Sequence, residues 1–424
     1  MHDLVIINAR VLSLTPPGVA PGAALGAGVA PRRGAAMREL GVMARASVRV
    51  ASDGRVAEVG AGVVPGPKDH VLDARGRVLM PGFVDCHTHA CFAGSRLDEW
   101  ERKLAGATYQ EIMASGGGIM STVRATREAS RSTLAELLHE RLDSFVDGGT
   151  TTVEVKSGYG LSTAAELNML RAIRDASHAC DATVVATALL AHAIDPAQDG
   201  FVERTITQTL PAVHAEFPGI AIDAYCEVGA WTLDDSLRLF DAAAGLGHPW
   251  RVHADQFNAL GMIEAAAARG CVSVDHLEVS RDEGLRALAQ SGTVGVALPI
   301  CGLHLDGRFA RLRTLVDSGG IAAIATNFNP GSAPCRSMPL AIAAAVRHCG
   351  LTPAEAIIAS TVNAAHVLGL RDRATVTPGA RADLILLTHT DERALAQEIG
   401  GDPVDVVLCG GEPVKDRRHE IEGV

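Results

Sequence analysis

Apolar and polar positions change rhythm near residue 80. Before it, short runs alternate with period two at Leu4–Leu14, Ala46–Val50 and Arg55–Val59, the last two joined by the turn Ser52-Asp53-Gly54. This is the pattern of half-buried strands in a small β unit. Beyond it, continuous apolar runs alternate with Ala-rich stretches of helical period, as expected of strands covered on both faces by helices. The strands predicted there are Val78–Cys86, Thr151–Lys156, Thr183–Ala191, Ile222–Glu227, Arg251–Ala254, Ser273–Leu277, Thr293–Leu298 and Ile321–Thr326. Helices between them include Leu134–Phe145, Thr163–His178, Leu233–Ala244 and Ala259–Ala268. Eight strands alternating with helices predict an α/β fold, a (β/α)8 TIM-type barrel. The other topology is an open doubly wound sheet, but no glycine-rich phosphate fingerprint follows the first strand. Ala382–Leu387 and Val404–Leu408 read as strands again and are expected to return to the N-terminal unit.

Composition narrows the class. The 424 residues are 47% apolar and 21% charged, which excludes disorder as the overall state and allows a large core. Aromatics are only 4%, so that core is built from Ala, Val, Leu and Ile. The formal charge is 38 − 49 = −11, and basic residues gather only at Arg32–Arg33 and around Lys415, Arg417 and Arg418. No clustered footprint for phosphates exists, so a nucleic-acid partner is not expected. Nine cysteines without a CxxC pair read as reduced intracellular thiols, and no signal peptide is apparent, so the expected location is cytoplasmic. Val11–Pro31 is uncharged but broken by Pro16, Pro17 and Pro21, so no membrane span is expected; Thr15–Ala36 reads as a flexible insertion.

The chemistry begins at Asp85-Cys86-His87-Thr88-His89. Residues i and i+2 of a strand face the same way, so His87 and His89 point together and can share a transition metal. Asp85 lies on that face and can orient a ligand imidazole. A lone HxH is equally a pair of surface histidines. It gains weight because later predicted strands also end in histidine, at His192, His253 and His276, and a barrel gathers its strand C-termini on one face. For any one of these, a hydrogen-bonded buried histidine is the competing reading.

The run Pro81–His89 resembles the first-strand signature of the amidohydrolase superfamily. Further motifs are Phe92-Ala93-Gly94-Ser95-Arg96, Gly116-Gly117-Gly118-Ile119, Glu154–Gly160, His253–Phe257, Asp275-His276-Leu277-Glu278 and Asn329-Pro330-Gly331-Ser332. Together they are similar to the imidazolonepropionase family over about residues 79–390. The resemblance implies a barrel over 79–374 and a composite β-sandwich from 1–78 and 375–424. It also implies one zinc or iron ion held by His87, His89 and His253, and a small-molecule substrate, 4-imidazolone-5-propanoate, opened to N-formimidoyl-L-glutamate in L-histidine degradation. A homodimer is compatible with the family.

By the same resemblance Arg96 matches the arginine that grips the propionate, and Tyr159, His192, Asn329, Gly331 and Ser332 match substrate contacts. His192 is expected to donate to the ring carbonyl, and His276 to carry protons or orient water. Each has a plainer role open to it: a salt bridge for Arg96, loop packing for Tyr159, a bond to Asp275 for His276, an ordinary turn for Asn329–Ser332. Gln256 stands where the family carries glutamate or glutamine. Asn327 stands where it carries an aspartate that binds metal and takes a proton; an amide oxygen can coordinate but is a poor base. Three readings of Asn327 stay open: a lineage variant with His276 taking over proton transfer, an inactivating substitution, or a chain that binds without turnover. Lys156 is not expected to carry a metal-bridging modification, since the motif implies one metal. The rival activities are a deaminase or another cyclic amidase on the same scaffold, and a non-catalytic binding protein.

Overall fold

In the computed structural model, residues 2–20, 23–24, 28–107, 111 and 117–417 are described. Among them the strands form two sheets. The first contains β1 (Leu4–Leu12), β2 (Val42–Val50), β3 (Val56–Gly60), β4 (His70–Asp73), β5 (Val78–Pro81), β14 (Leu384–Leu387), β15 (Val404–Cys409) and β16 (Glu412–Asp416). The second contains β6 (Phe83–Asp85), β7 (Thr150–Lys156), β8 (Thr183–Ala191), β9 (Ala221–Cys226), β10 (Trp250–Ala254), β11 (Ser273–His276), β12 (Val294–Ala297) and β13 (Ile321–Ile324).

The second sheet is all parallel, in unbroken chain order from β6 to β13. Its two ends meet: Thr88 bridges Phe328, and the His89 N–H donates to the Phe328 carbonyl at 2.9 Å. That closure makes it a barrel and excludes the open doubly wound sheet. Helices cover its outside, so its strands are buried on both faces and read as unbroken apolar runs. The helix after β7, Thr163–Ala179, starts where a cap forms: the Ser162 side chain accepts from the Ala165 N–H.

The mixed sheet joins the two chain ends. β14 runs antiparallel to β5, pairing Leu384 with Pro81 and Leu386 with Leu79. Period two divides these strands between two cores. Leu79, Leu384 and Leu386 enclose a separate small core with Ile6, Val11 and Val48, while Val78, Met80, Ile385 and Leu387 pack into the main core.

The expected single strand Val78–Cys86 is two strands in two sheets. The break falls at Pro81-Gly82, and a Cβ on Gly82 would lie 2.3 Å from the Thr151 Oγ1, so only glycine lets the chain step across there. The segment expected to be a flexible insertion is packed in its later part. Arg32 is buried, its N–H donating to Asn363 Oδ1 at 2.7 Å and its Nη2 to the Leu14 carbonyl at 2.6 Å. Residues 21–22 and 25–27 of that segment lie outside the described residues, as does Arg418 of the basic tail. Among the described residues, no helix is long and apolar enough to cross a membrane.

Candidate metal centre and active site

The extended chain after β6 turns His87 and His89 to the same side, as period two requires, while Cys86, which precedes them, is buried in the main core. β10 brings His253 to meet them. The His89 Nε2 lies 3.3 Å from both His87 Nε2 and His253 Nε2. The Nδ1 atoms of the outer two rings face carboxylates: His87 to Asp275 Oδ2 at 2.6 Å, His253 to Asp223 Oδ1 at 3.1 Å. A carboxylate accepting from Nδ1–H leaves Nε2 as a lone pair. Burial lowers the basicity of all three rings, so all three stay neutral at pH 7. Neutral imidazoles with nitrogens crowded this closely are a donor set for a cation. Asn327 fits the same reading. Its N–H donates to the His87 carbonyl at 3.1 Å, its φ is 57°, and its Oδ1 is buried without a hydrogen-bond partner.

Asp85 does not orient an imidazole. Its Oδ2 accepts from Thr326 Oγ1 at 2.5 Å and its Oδ1 from the Thr326 N–H, which ties β6 to the segment after β13. Burial pushes its carboxyl up to about 7 against those hydrogen bonds. Asp275 likewise holds His87 rather than its neighbour His276.

The orienting carboxylates belong to one buried chain of charges. Asp275 Oδ2 accepts from Arg251 Nη2 at 2.6 Å, and Arg251 Nη1 reaches Glu154 Oε1 at 3.3 Å. Glu154 Oε1 accepts from Lys156 Nζ at 2.7 Å, and Lys156 Nζ donates on to Asp223 Oδ2 at 2.8 Å. The chain runs from His87 to His253 through Asp275, Arg251, Glu154, Lys156 and Asp223, every charged side chain in it at most 1% exposed. Burial alone would raise the Asp223 carboxyl, but His253 and Lys156 hold it well below the usual range. Lys156 Nζ is engaged by both carboxylates. Asp223 and Arg251 were not singled out from the sequence. The available signal was a charge at an inward position of an apolar strand, two residues from another polar group: Glu154 and Lys156, Arg251 and His253.

The other expected residues surround this centre. His192 stacks on His89 at 4.9 Å between centroids and lies 5.1 Å from the Tyr159 ring. Its Nδ1 is 3.0 Å from the Gly158 carbonyl, and burial lowers its pKa to about 3. A neutral ring donating from Nδ1 has only an accepting Nε2 left, so His192 accepts rather than donates toward the cleft. Burial raises the Tyr159 phenol, which stays a donor. The loop carrying it is held by Glu166, whose carboxylate accepts from the N–H groups of Gly158, Gly160 and Leu161. That role was also missed; a carboxylate in the first turn of a helix, facing a glycine-rich loop, was its signal. His276, at φ 92°, places Nδ1 3.1 Å from Glu278 Oε1 and its ring 5.5 Å from that of His253. Gln256 accepts from the Tyr225 hydroxyl at 2.7 Å.

Arg96 opens the helix Leu97–Leu104 and pairs with Glu99 at 2.6 Å; its Nη1 donates weakly to Thr122 Oγ1 at 3.4 Å, and its Nε is buried without a partner. Gly331 lies against this guanidinium: a Cβ there would come within 3.1 Å of Nη1. Asn329 is spent inside its own turn. Its Oδ1 accepts from the Gly331 and Ser332 N–H groups, and its Nδ2 donates to the Asn327 carbonyl and Ser332 Oγ. This turn therefore shapes the wall, and its two backbone donors are already engaged. Gly116 of the glycine motif lies outside the described residues; the Gly118 N–H donates to Glu99 Oε1.

Residues 78–414 match the model of the amidohydrolase family. The chain is 45% identical to the imidazolonepropionase of Rubrobacter xylanophilus over 396 residues, 91% of this chain and 94% of that protein. It is 45% identical to the imidazolonepropionase of Deinococcus radiodurans over 90% of this chain and 95% of that one. Among solved structures, 5-methylcytosine deaminase from Klebsiella pneumoniae superposes with a TM-score of 0.74 at 18% identity, covering 98% of each chain, which speaks to the fold alone.

Proposed function

The chain belongs to the amidohydrolase family, among the imidazolonepropionases, and on that premise we propose that it hydrolyses 4-imidazolone-5-propanoate to N-formimidoyl-L-glutamate. The carrying observation is the convergence of the His87, His89 and His253 Nε2 atoms, two of the rings backed by carboxylates. The donor set suits one zinc or iron ion, held by His87, His89 and His253 with Asn327 offering a neutral oxygen. Such an ion supplies Lewis acidity to the ring carbonyl and acidifies water.

The protein's own groups do the rest. Arg96 takes the propionate, exchanging its contact with Glu99 for a two-pronged grip beside Gly331. Tyr159 donates to the substrate, and the His192 Nε2 accepts from a ring N–H. His276, its Nδ1 turned to Glu278, presents Nε2 as the base that takes a proton from the attacking water. Water oxygen bonds to the carbonyl carbon, the ring C–N bond breaks, and that proton returns to the departing nitrogen. Gln256, fixed by Tyr225, is a neutral partner for the carbonyl oxygen. Asn327 cannot act as the base, which leaves His276 to carry that step alone. The guanidinium at the rim disfavours a nucleobase, which has no carboxylate to meet it. The nine free cysteines fit a cytoplasmic enzyme, and a homodimer is the assembly to look for by light scattering.

The test is metal content measured together with turnover of imidazolonepropionate and a panel of nucleobases. One equivalent of metal and turnover of the imidazolone alone are expected; turnover of a base alone overturns the reading. Asn327→Asp is expected to raise kcat by restoring a second proton acceptor. An unchanged rate shows that the absent carboxylate does not limit the reaction.

A further inference from the structure

A second cluster of donor atoms lies beside the first, on the far side of His276. Glu278 follows β11 by two residues, and Cys301 sits in the short helix Pro299–His304 after β12. The donor atoms of His276, Glu278 and Cys301 all lie within 4.8 Å of one another. They are three different donors: an imidazole nitrogen, a carboxylate and a thiol. His276 Nδ1 and Glu278 Oε1 are already 3.1 Å apart. A tetrahedral zinc with bonds of about 2.0–2.3 Å sets its ligand atoms roughly 3.3–3.6 Å from one another, so this cluster needs only small side-chain shifts to close on an ion.

Two further observations point to a ligand. Glu278 Oε2 is buried without a hydrogen-bond partner, on a side chain only 5% exposed. An orphaned carboxylate oxygen is costly unless something meets it. Beside it opens a small cavity lined by Gln256, Phe257, Glu278, Cys301, Asp306 and Arg308, the last two paired with each other, which gives an ion a way in and solvent a place as fourth ligand. The thiol meets the Gln256 Nε2, at 3.4 Å, and the Ser332 side chain.

We propose that His276, Glu278 and Cys301 form a second cation site, selective for a thiophilic divalent ion such as Zn2+, whose occupation inhibits the enzyme. Coordination takes the Nδ1 lone pair of His276, so its proton moves to Nε2 and the ring can no longer accept one from water. Burial raises the Cys301 thiol, so the ion must displace a tightly held proton and binds better as pH rises. Zinc then serves one site and closes its neighbour, whereas a hard oxygen-seeking ion such as Mg2+ leaves the thiol site empty.

The inhibitory consequence rests on the function proposed above; the binding does not. The experiment takes protein already holding one equivalent of zinc and adds Zn2+ in equilibrium dialysis while the hydrolysis rate is followed. The expected result is a second equivalent per chain and a rate that falls at least tenfold as it binds. Cys301→Ser and Cys301→Ala are each expected to keep the first equivalent and the basal rate, and to lose the second equivalent and the inhibition together. Cd2+ on the parent protein is expected to give a thiolate-to-metal ultraviolet band at the second equivalent only. A parent that stops at one equivalent, a second equivalent that survives in both cysteine variants, or a missing cadmium band overturns the second site. Failure to hold even the first equivalent overturns the metal centre instead.

Discussion

Around the three imidazoles, the supporting side chains sit on strands and are fully buried. Asp275, Arg251, Glu154, Lys156 and Asp223 project from β11, β10, β7 and β9, and each is fixed by the next. Around Arg96 the supports lie outside the strands: Glu99 and Thr122 on surface helices, and the Asn329–Ser332 turn. The floor of the site is thus held by strand geometry and low-dielectric ion pairing, and the rim by local turns and a partly exposed pair. A metal needs its ligands in place before it binds, whereas a carboxylate-bearing substrate must displace something on entry. The Arg96–Glu99 pair, its side chains 15% and 13% exposed, must open for that exchange, the substrate carboxylate replacing Glu99 on the guanidinium. Removing one member of the buried chain strands a charge inside the protein.

The sharpest way to test the contrast is Arg251→Met, which touches no metal ligand. Loss of stability of about 3–5 kcal/mol is expected, because Asp275 and Glu154 lose their shared cation. Metal affinity should fall about 10- to 100-fold, because the acceptor that orients His87 is released. Thermal melting and a competitive zinc titration measure the two; a variant that melts and binds like the parent removes the distinction between floor and rim.

Arg96→Met comes next. The loss of a charge-assisted grip worth about 1.5–3 kcal/mol predicts a KM higher by about 10- to 150-fold. The melting temperature should fall by less than in Arg251→Met, since the lost pair keeps 15% and 13% exposure where the floor pairs keep at most 1%. A fall in kcat with unchanged KM would place Arg96 at the reacting atoms instead.

Glu166→Gln is expected to be milder. One of its oxygens becomes an NH2 facing the loop N–H groups, so the Tyr159 loop loosens at a cost on the order of 1 kcal/mol, or about fivefold in KM. Steady-state kinetics at unchanged metal occupancy reads it. The structure of the variant should show movement at 158–161 and nowhere on the floor.

The smallest effect concerns pH. Burial depresses His192 to about 3 in the folded chain, while the unfolded chain protonates near 6.5. The unfolded state therefore binds the extra proton first. Stability present above about pH 6.5 is lost as pH falls toward 3, and this site works against the fold in acid. In metal-free protein, His192→Gln should lose less melting temperature than the parent between pH 7 and 5. Parallel melting curves would show that His192 is not held neutral.

Much of the barrel was legible because its signal is local. Thr183–Ala191 is a strand with the bounds its apolar run predicts, and Thr163–Ala179 departs from its predicted helix by one residue. The convergence of His87 and His89 was legible for the same reason, since period two alone turns them together. Misreadings arose where distant chain intervenes. Asp85 sits where a ligand-orienting carboxylate was expected, yet Thr326, 241 residues on, claims it. Val78–Cys86 reads as one apolar run because both sheets bury it, and only the approach of Thr151 to Gly82 shows the break.

By itself the sequence determined the periodicities, the order of strands and helices, and the residue types able to hold a cation or a carboxylate. These follow from backbone geometry and side-chain chemistry, which act within a few residues. Tertiary structure decided which charge neutralises which. Asp275 rather than Asp85 serves His87, Asp223 serves His253, and Arg251 with Lys156 joins the two. Coulombic pairing inside a barrel depends on distances between strands, and those exist only once the sheet has closed.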